Sequence, residues 1–232
     1  MKIAIIAGGN GDVGLATARI FLKHKYKVVI MDKVISPNKE ANIYYCCCDI
    51  TNVEEVRKSL KEIVIKFKKL DVLVNCVGVQ EVCDWNQLTL KSWKKIIKNN
   101  LTGTFILLHE ISKYLAKNAA IVNVSSIHAK NPRIDKFSYD AAKAGIEILS
   151  KEVALTLKEK KIRVNIVEPG VIDTKMNRGV NLASEQIIDY IPLRRVGTPI
   201  EVAKVIYFLC SSAASYVNGA TVSVDGGRQL IK

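Results

Sequence analysis

The stretch that most constrains this chain is its beginning. Residues 3–7, Ile3-Ala4-Ile5-Ile6-Ala7, form an unbroken apolar run, as in a strand buried on both faces. A glycine-rich turn follows, Gly8-Gly9-Asn10-Gly11-Asp12-Val13-Gly14, and an apolar stripe of Leu15, Ala18 and Leu22 then marks a helix. In that strand–turn–helix context the spacing Gly9-x-Gly11-x-x-Gly14 points to dinucleotide binding. The glycines allow a tight turn and a close backbone approach, and the helix N-terminus receives the pyrophosphate. Asp32 closes the next apolar run, 28–31, where a carboxylate hydrogen-bonds the adenosine ribose hydroxyls or simply caps a strand end. As a ribose ligand it repels a 2′-phosphate, which favours NAD over NADP. Lys33 beside it softens that repulsion.

The same unit recurs along the chain. Strands are predicted at 43–48 (ending at Asp49), 72–74 (ending at Asn75), 120–124 (followed by Ser125-Ser126), 164–167 (closed by Pro169-Gly170) and 221–224. Between them lie helical patterns. Thr51-x-x-Glu54 reads as a capping box for a helix that turns Val53, Val56, Leu60, Ile63 and Phe67 inward. A long helical region runs from about 90 to 117, interrupted by Asn100-Leu101-Thr102-Gly103-Thr104, where the glycine implies close packing or a kink. A third helix buries Ala142, Ile146, Leu149 and Val153, a fourth spans about 199–211, and 174–192 is the least regular segment. This βα alternation predicts an α/β fold: a single doubly wound parallel sheet (Rossmann-like) with helices on both faces. All 232 residues fit one domain.

Composition narrows the function. No apolar run reaches the roughly 18 residues of a membrane helix, and no charged leader precedes the first strand. A soluble, cytoplasmic protein is expected. Cys46, Cys47, Cys48, Cys76, Cys83 and Cys210 form no CxxC pair and read as buried free thiols. His24, His109 and His128 lack metal-ligand spacing, so no metal site is expected. The net charge of +13 is spread over lysines on helix faces, and aromatics are only 6%. That pattern argues against nucleic-acid binding and leaves a solvated surface or an acidic substrate or carrier.

The chemistry centres on Ser138-Tyr139-Asp140-Ala141-Ala142-Lys143. At i and i+4, Tyr139 and Lys143 share one helix face. A nearby ammonium favours the phenolate, so such a tyrosine serves as general acid or base. Y-x-x-x-K alone is a weak pattern that also describes two surface residues. What lifts it is position: Asp32, Asp49, Asn75, Ser126 and Gly170 all follow predicted parallel strands, and ligands of such sheets bind along that edge. Ser126 is placed to hydrogen-bond a substrate oxygen; as a nucleophile it has no G-x-S-x-G elbow and no evident histidine. His128 is either a substrate contact or a loop residue.

Taken together, these motifs resemble those of the short-chain dehydrogenase/reductase family nearly end to end. Tyr139 to Lys143 matches its Y-x-x-x-K, Ser126 its serine, Asn100 its asparagine, Asn75-Cys76-Val77-Gly78 its N-x-x-G, and Pro169-Gly170-Val171-Ile172-Asp173-Thr174 its P-G-x-x-x-T. The stretches Arg195-Val196-Gly197-Thr198-Pro199-Ile200-Glu201 and Val224-Asp225-Gly226-Gly227 are similar to those of ketoacyl-carrier-protein reductases and of sugar or hydroxysteroid dehydrogenases. The resemblance implies a nicotinamide-dependent oxidoreductase interconverting a secondary alcohol and a ketone, with a 3-oxoacyl thioester among its candidate substrates. It implies catalytic roles for Asn100, Ser126, Tyr139 and Lys143. Cofactor contacts are implied at Gly8, Asn10, Gly11, Asp12, Val13, Gly14, Asp32, Asp49, Ile50, Asn75, Gly78, Tyr139, Lys143, Pro169, Gly170, Ile172 and Thr174. It further implies a homotetramer built through the helices carrying Asn100 and Tyr139.

The glycine turn departs from the compact members of the family. Ala7 replaces their threonine, Gly11 stands where a basic residue often meets an NADP phosphate, and Asp12 replaces a glycine. Asp12 is either tolerated at the helix N-terminus or weakens cofactor binding. A cationic rim of Lys130, Arg133, Lys136, Lys175, Arg178, Arg194 and Arg195 suits an acyl carrier protein or a coenzyme A ester. The alternative function is a non-catalytic dinucleotide-binding sensor or scaffold.

Overall fold

The computed structural model describes residues 1–177, 182 and 184–231. Seven strands form one parallel sheet in the order β3-β2-β1-β4-β5-β6-β7. They are β1 (Ile3–Ala7), β2 (Lys27–Asp32), β3 (Ile43–Cys47), β4 (Leu70–Asn75), β5 (Leu115–Val124), β6 (Arg163–Pro169) and β7 (Thr221–Val224). The helices are α1 (Asp12–Lys23), α2 (Val53–Phe67), α3 (Leu90–Ile97), α4 (Gly103–Ile111), α5 (Phe137–Thr156), α6 (Glu185–Ile188) and α7 (Pro199–Cys210). The predicted doubly wound sheet is therefore present.

Alternation along each strand splits the core in two. Ile3, Ile5, Ala7, Val29, Leu73 and Ile121 face one cluster with Val56, Leu60 and Ile63 of α2 and Leu107, Leu108 and Ile111 of α4. Ala4, Ile6, Val28, Ile30, Val74 and Val122 face the other, with Ala18 and Phe21 of α1 and Val202, Ile206 and Leu209 of α7. β1 pairs with β2 on one side and β4 on the other, so the strand order reverses between β1 and β4. Crevices at such reversals, at the carboxyl ends of the strands, are where open α/β sheets bind ligands.

Three local expectations need correction. The cap of α2 is Asn52, one residue beyond the predicted Thr51: Asn52 accepts from the Glu54 and Glu55 backbone N–H groups, and its amide donates to Glu55 at 2.9 Å. Asn is at least as good a cap as Thr, and the Thr51 N–H is already committed to Asp49 Oδ1 at 2.8 Å. The long helix does not reach residue 117. It ends at Ile111, and Leu115 opens β5 against Leu70, with Asn118 in the left-handed region at φ 63°. The third strand stops at Cys47, whose side chain is exposed, and Cys76 and Cys83 are half-buried, so the thiols are free but not all buried. Among the described residues no helix is long and apolar enough to cross a membrane.

The expected kink at Asn100–Thr104 is a five-residue π-helical segment, Lys98–Thr102, joining α3 to α4. Such segments interrupt the regular hydrogen-bond ladder and mark functional positions. Gly103, just beyond it, packs on Ile50, where a Cβ would lie 3.0 Å from Ile50 Cγ1.

Candidate active site

At the sheet reversal the turn after β1 meets the loop after β4. Gly8 adopts φ +68°, and a Cβ there would stand 2.8 Å from Val77 N and 2.9 Å from Cys76 C. At Gly14 a Cβ would lie 2.3 Å from Gly8 O, so the first turn of α1 rests directly on the glycine loop. Gly11 is less constrained, with Gly8 O 3.3 Å from its Cβ position. Backbone at this edge is held open by glycine where only a bare backbone fits.

The predicted nucleotide-contacting side chains gather around that turn. Asp32, at the end of β2, accepts from Asn10 N at 3.1 Å and Val34 N at 3.3 Å. The Asn10 amide also donates to Val34 O. Asp49 lies beyond β3. Burial disfavours its ionisation, yet Thr51 and the ammonium groups of Lys33 and Lys98 together hold it below the usual range. Ile50 is buried behind it, and Val13 is half-buried in the first turn of α1. Asn75 is fully enclosed: it donates to Thr104 Oγ1 at 2.9 Å and accepts from Val77 N at 3.1 Å, which shapes the loop toward Gly78.

Asp12 faces the loop that follows β6. Its carboxylate accepts from Lys175 N at 2.6 Å and lies 3.9 Å from Lys175 Nζ. A cleft of about 240 Å³ between them is lined by Asp12, Asp173, Thr174 and Lys175. The glycine turn and the P-G-x-x-x-T motif therefore meet across one opening. Pro169 ends β6. Gly170 follows with Asp225 2.7 Å from its Cβ position, and Ile172 is buried and bridges to Gly197.

The trio predicted to react also comes together. Ser126 follows β5, and Tyr139 and Lys143 project from the first turns of α5, all three buried. The Ser126 hydroxyl is within hydrogen-bonding reach of the Tyr139 phenol, and Lys143 Nζ lies 5.6 Å from the Tyr139 ring centre. Lys143 donates to Val124 O at 2.8 Å. Its Nζ would be 3.3 Å from a Cβ on Gly78, and Asn100 Oδ1 would be 3.6 Å from it, so the missing side chain leaves a passage beside both. Asn100 clasps the loop after β4: its Oδ1 accepts from Val79 N and its Nδ2 donates to Val79 O, each at 2.8 Å.

The protonation balance differs from the sequence expectation. Lys143 Nζ stands 5.6 Å from the centre of the tyrosine ring and does not set the phenol's protonation. Burial outweighs charge and pushes the Tyr139 phenol up to about 12, while Ser126 pulls it the other way. Burial likewise pushes Lys143 down to about 8. The arrangement holds a neutral phenol, a hydrogen-bonding hydroxyl and an ammonium with an easily released proton along one path.

The cationic rim is mostly neutralised. Lys130 pairs with Glu168, Arg133 with Asp135, Arg194 with Asp189, and Arg195 takes both oxygens of Glu201. Lys136 is buried, donates to Gln80 at 3.0 Å and lies 5.7 Å from the Tyr139 ring centre. Arg178 lies outside the described residues. His128 lies in a single 3₁₀ turn, Ile127–Ala129, and its Nδ1 sits 3.1 Å from Asn131 O. Val79 was missed from sequence because only its backbone takes part. Ser125, Glu147 and Glu168 were missed too, although Glu147 continues the four-residue spacing of Tyr139 and Lys143.

A family model described as enoyl-(acyl carrier protein) reductase matches residues 8–229. The chain is 34% identical to a 3-oxoacyl-(acyl-carrier-protein) reductase of Synechocystis sp., covering 97% of this chain and 96% of that one. It is 31% identical to an acetoacetyl-CoA reductase of Shinella zoogloeoides, covering 99% of each. Among solved structures, the aldohexose dehydrogenase of Thermoplasma acidophilum superposes with a TM-score of 0.93 at 28% identity, over 100% of this chain and 95% of that one. A short chain dehydrogenase from Bacillus anthracis gives 0.91 at 30% identity, over 100% and 97%. With the strand-end site in place and these matches spanning nearly every residue, the chain belongs to the short-chain dehydrogenase/reductase family.

Proposed function

We propose that this oxidoreductase reduces the ketone of a 3-oxoacyl thioester, or oxidises the corresponding alcohol, using Tyr139 as the acid/base. The observation that carries this is the burial of Ser126, Tyr139 and Lys143 together where β5 ends and α5 begins, with Lys143 Nζ 5.6 Å from the ring centre. A ketone oxygen accepts hydrogen bonds from the Ser126 hydroxyl and the Tyr139 phenol, and Tyr139 delivers the proton as the oxygen gains charge. Lys143 restores that proton, and its lowered pKa eases the transfer. Asn100 fixes the loop that lines this path through its two bonds to Val79. In this reading Asn100 also orders the relay from Lys143 to solvent.

The residues fit a nicotinamide dinucleotide: Gly8 and Gly14 let the turn close tightly against the loop after β4 and the start of α1, and Gly78 leaves room beside Lys143 and Asn100. When bound, that cofactor supplies or accepts the hydride. Gly8, Asn10, Gly11, Asp12, Val13 and Gly14 would hold its pyrophosphate end, and Asp32, Asp49 and Ile50 its adenosine. Asn75, Gly78, Tyr139, Lys143, Pro169, Gly170, Ile172 and Thr174 would hold its nicotinamide end. Asp32 supports NAD: its carboxylate is fixed by two backbone N–H groups at the β2 edge and would face a 2′-phosphate as a like charge. Exposed Phe105 on α4 and exposed Ile148 and Leu155 on α5 support a homotetramer through those helices, and six free thiols suit the cytoplasm.

The test is a panel of acetoacetyl-CoA, an acetoacetyl carrier protein, an aldohexose and a hydroxysteroid, followed by absorbance with NAD(H) and with NADP(H). Acetoacetyl thioesters turned over with NADH are expected. Turnover of the aldohexose alone would overturn the substrate, and faster rates with NADPH would overturn the role of Asp32.

A further inference from the structure

Two carboxyl groups lie buried side by side behind the reacting trio. Glu147 stands one turn beyond Lys143 on α5 and is 4% exposed; Glu168, near the end of β6, is fully enclosed. The two carboxyls are close enough that each shifts the other's ionisation. Around them, Ser125 Oγ lies 3.0 Å from Glu147 Oε1 and 3.1 Å from Lys143 O. Ser223 donates to Glu168 Oε2 at 2.9 Å, and Gln229 reaches the same oxygen at 3.5 Å. Lys130 donates to Oε2 at 3.1 Å and forms an ion pair with Oε1 at 3.0 Å. Glu168 Oε1 is nonetheless buried without a hydrogen-bond donor when both acids are ionised.

Lys130 lies 3.0 Å from that oxygen but is not aligned to donate to it, so the donor that would complete its shell is missing. Two carboxylates in contact cannot both ionise in a site offering one ammonium, and a buried acceptor without a donor is costly. A proton on Glu147 cures both faults. We propose that Glu147 and Glu168 share one proton and act as a positioning pair, locking the Ser125–Ser126 strand end to the Tyr139–Lys143 turn of α5. The pair reaches the reaction only through other residues: Ser125 adjoins Ser126 and holds the Lys143 carbonyl, and Lys130 leads the loop after Ser126. This rests on the reading of Ser126, Tyr139 and Lys143 as the reacting groups.

The electrostatics agree. Burial first, then Glu168, push Glu147 up to about 7. Burial opposes the ionisation of Glu168, but hydrogen bonds from Glu147, Lys130 and Ser223 hold it below its usual range. Lys130 is the charged group facing the pair, from the loop after β5; Ser125 from β5 and Ser223 and Gln229 from the C-terminal segment are uncharged.

The sign follows. The folded protein keeps a proton that the unfolded chain loses near the ordinary glutamate value of 4.5. Stability therefore falls as pH rises from that value to about 7 and is flat above it as far as this pair is concerned. Thermal unfolding of wild type, Glu147→Gln, Glu147→Leu and Glu168→Gln from pH 5 to 9 tests this, together with the infrared band of a protonated carboxyl at pH 6. Glu147→Gln supplies a donor that does not titrate. It is expected to lose both the band and the pH slope while keeping most of the turnover. Glu147→Leu removes that donor and leaves Glu168 to Lys130, Ser223 and Gln229 alone, and roughly a tenfold fall in kcat for acetoacetyl-CoA with NADH is expected, KM being little changed.

A wild-type slope retained in Glu147→Gln, or equal kcat for the Leu and Gln variants, overturns the shared proton. Should Glu147→Leu not fold, Glu168→Gln carries the test: without the neighbouring carboxylate, Glu147 should lose its proton at lower pH, moving the end of the slope and the loss of the band downward. The unfolding and infrared readouts do not depend on turnover. An active Tyr139→Phe would sink the reading of the reacting trio and leave these readouts to decide the pair separately.

Discussion

Gly8 and Tyr139 stand along the same carboxyl edge of the sheet, and each is set by a different kind of constraint. Around Gly8 the structure is fixed by what is absent: a positive φ, and a Cβ position 2.8 Å from Val77 N. Around Tyr139 it is fixed by what is enclosed. A phenol, an ammonium and two carboxyls are buried within two turns of α5 and at the adjoining strand ends. The first region is defined by backbone shape, with half-buried carboxylates along its edge. The second stores its chemistry in groups whose protonation burial has shifted. Substitutions at the first should therefore act on affinity, and substitutions at the second on turnover and pH dependence.

The largest break in that contrast is Tyr139→Phe. It removes the hydroxyl and almost nothing else, so turnover of acetoacetyl-CoA should fall by roughly 10² to 10⁴, with NADH affinity within about twofold of wild type. Stopped-flow turnover beside a fluorescence titration of NADH separates the two. Near-normal turnover would remove Tyr139 from the mechanism.

Gly8→Ala is the counterpart at the other end. The new methyl runs into the Cys76–Val77 peptide and holds a disfavoured φ, so the loops after β1 and β4 must part. NADH affinity should drop roughly tenfold to a hundredfold. Gly11→Ala, whose Cβ would meet only Gly8 O at 3.3 Å, should cost much less. Equal losses at the two positions would show that the turn is not held by the β4 loop.

Lys143→Met sharpens the comparison from the side of stability. Burial pushes Lys143 down to about 8, below its value of 10.5 in the unfolded chain. The folded state thus holds fewer protons than the unfolded one between those values, and wild-type stability rises with pH there. Methionine avoids burying the charge but leaves Val124 O without its donor. The net expectation is a Tm about 2–4 °C higher at pH 7, a gap that closes as pH rises toward 10, and activity largely lost. A destabilised variant at pH 7 would mean that the bond to Val124 outweighs the buried charge.

The two regions also differed in how far they could be read from sequence. Glycine spacing, a carboxylate at the end of β2 and polar residues after each strand encode the nucleotide end directly, because sterics leave glycine little substitute. Tyr139, Lys143 and Ser126 were legible through spacing and strand-end position. Their protonation was not, since it depends on burial by residues far away in sequence. Glu168 is invisible as a partner of Glu147 until β6 is laid beside α5. The same holds for the α2 cap, where Thr51 and Asn52 both suit the pattern and Asp49 decides between them by taking the Thr51 N–H. The end of the long helix near Ile111 was missed because Leu115 and its neighbours continue an apolar pattern that only the pairing with Leu70 resolves.

Asp12 carries the smallest expected effect and tests where the boundary between the two regions falls. It sits in the first turn of α1, where helix dipole and free N–H groups favour an anion. Its own carboxylate occupies that end and ties it to Lys175 through a 2.6 Å backbone bond and an exposed 3.9 Å ion pair. An exposed pair of this kind is worth about 0–1 kcal/mol. If Asp12 mainly repels an anionic cofactor, Asp12→Ala should tighten NADH binding about twofold to fivefold at low salt, and the gain should vanish at high salt as screening removes the repulsion. If it mainly ties the loop carrying Thr174 to the glycine turn, the same variant should bind NADH more weakly at every salt concentration. We expect the first outcome, because the tie is exposed while the carboxylate shares a helix end with the ligand. Titrations at two ionic strengths decide between charge and tether at a residue that joins the glycine turn to the loop carrying Thr174.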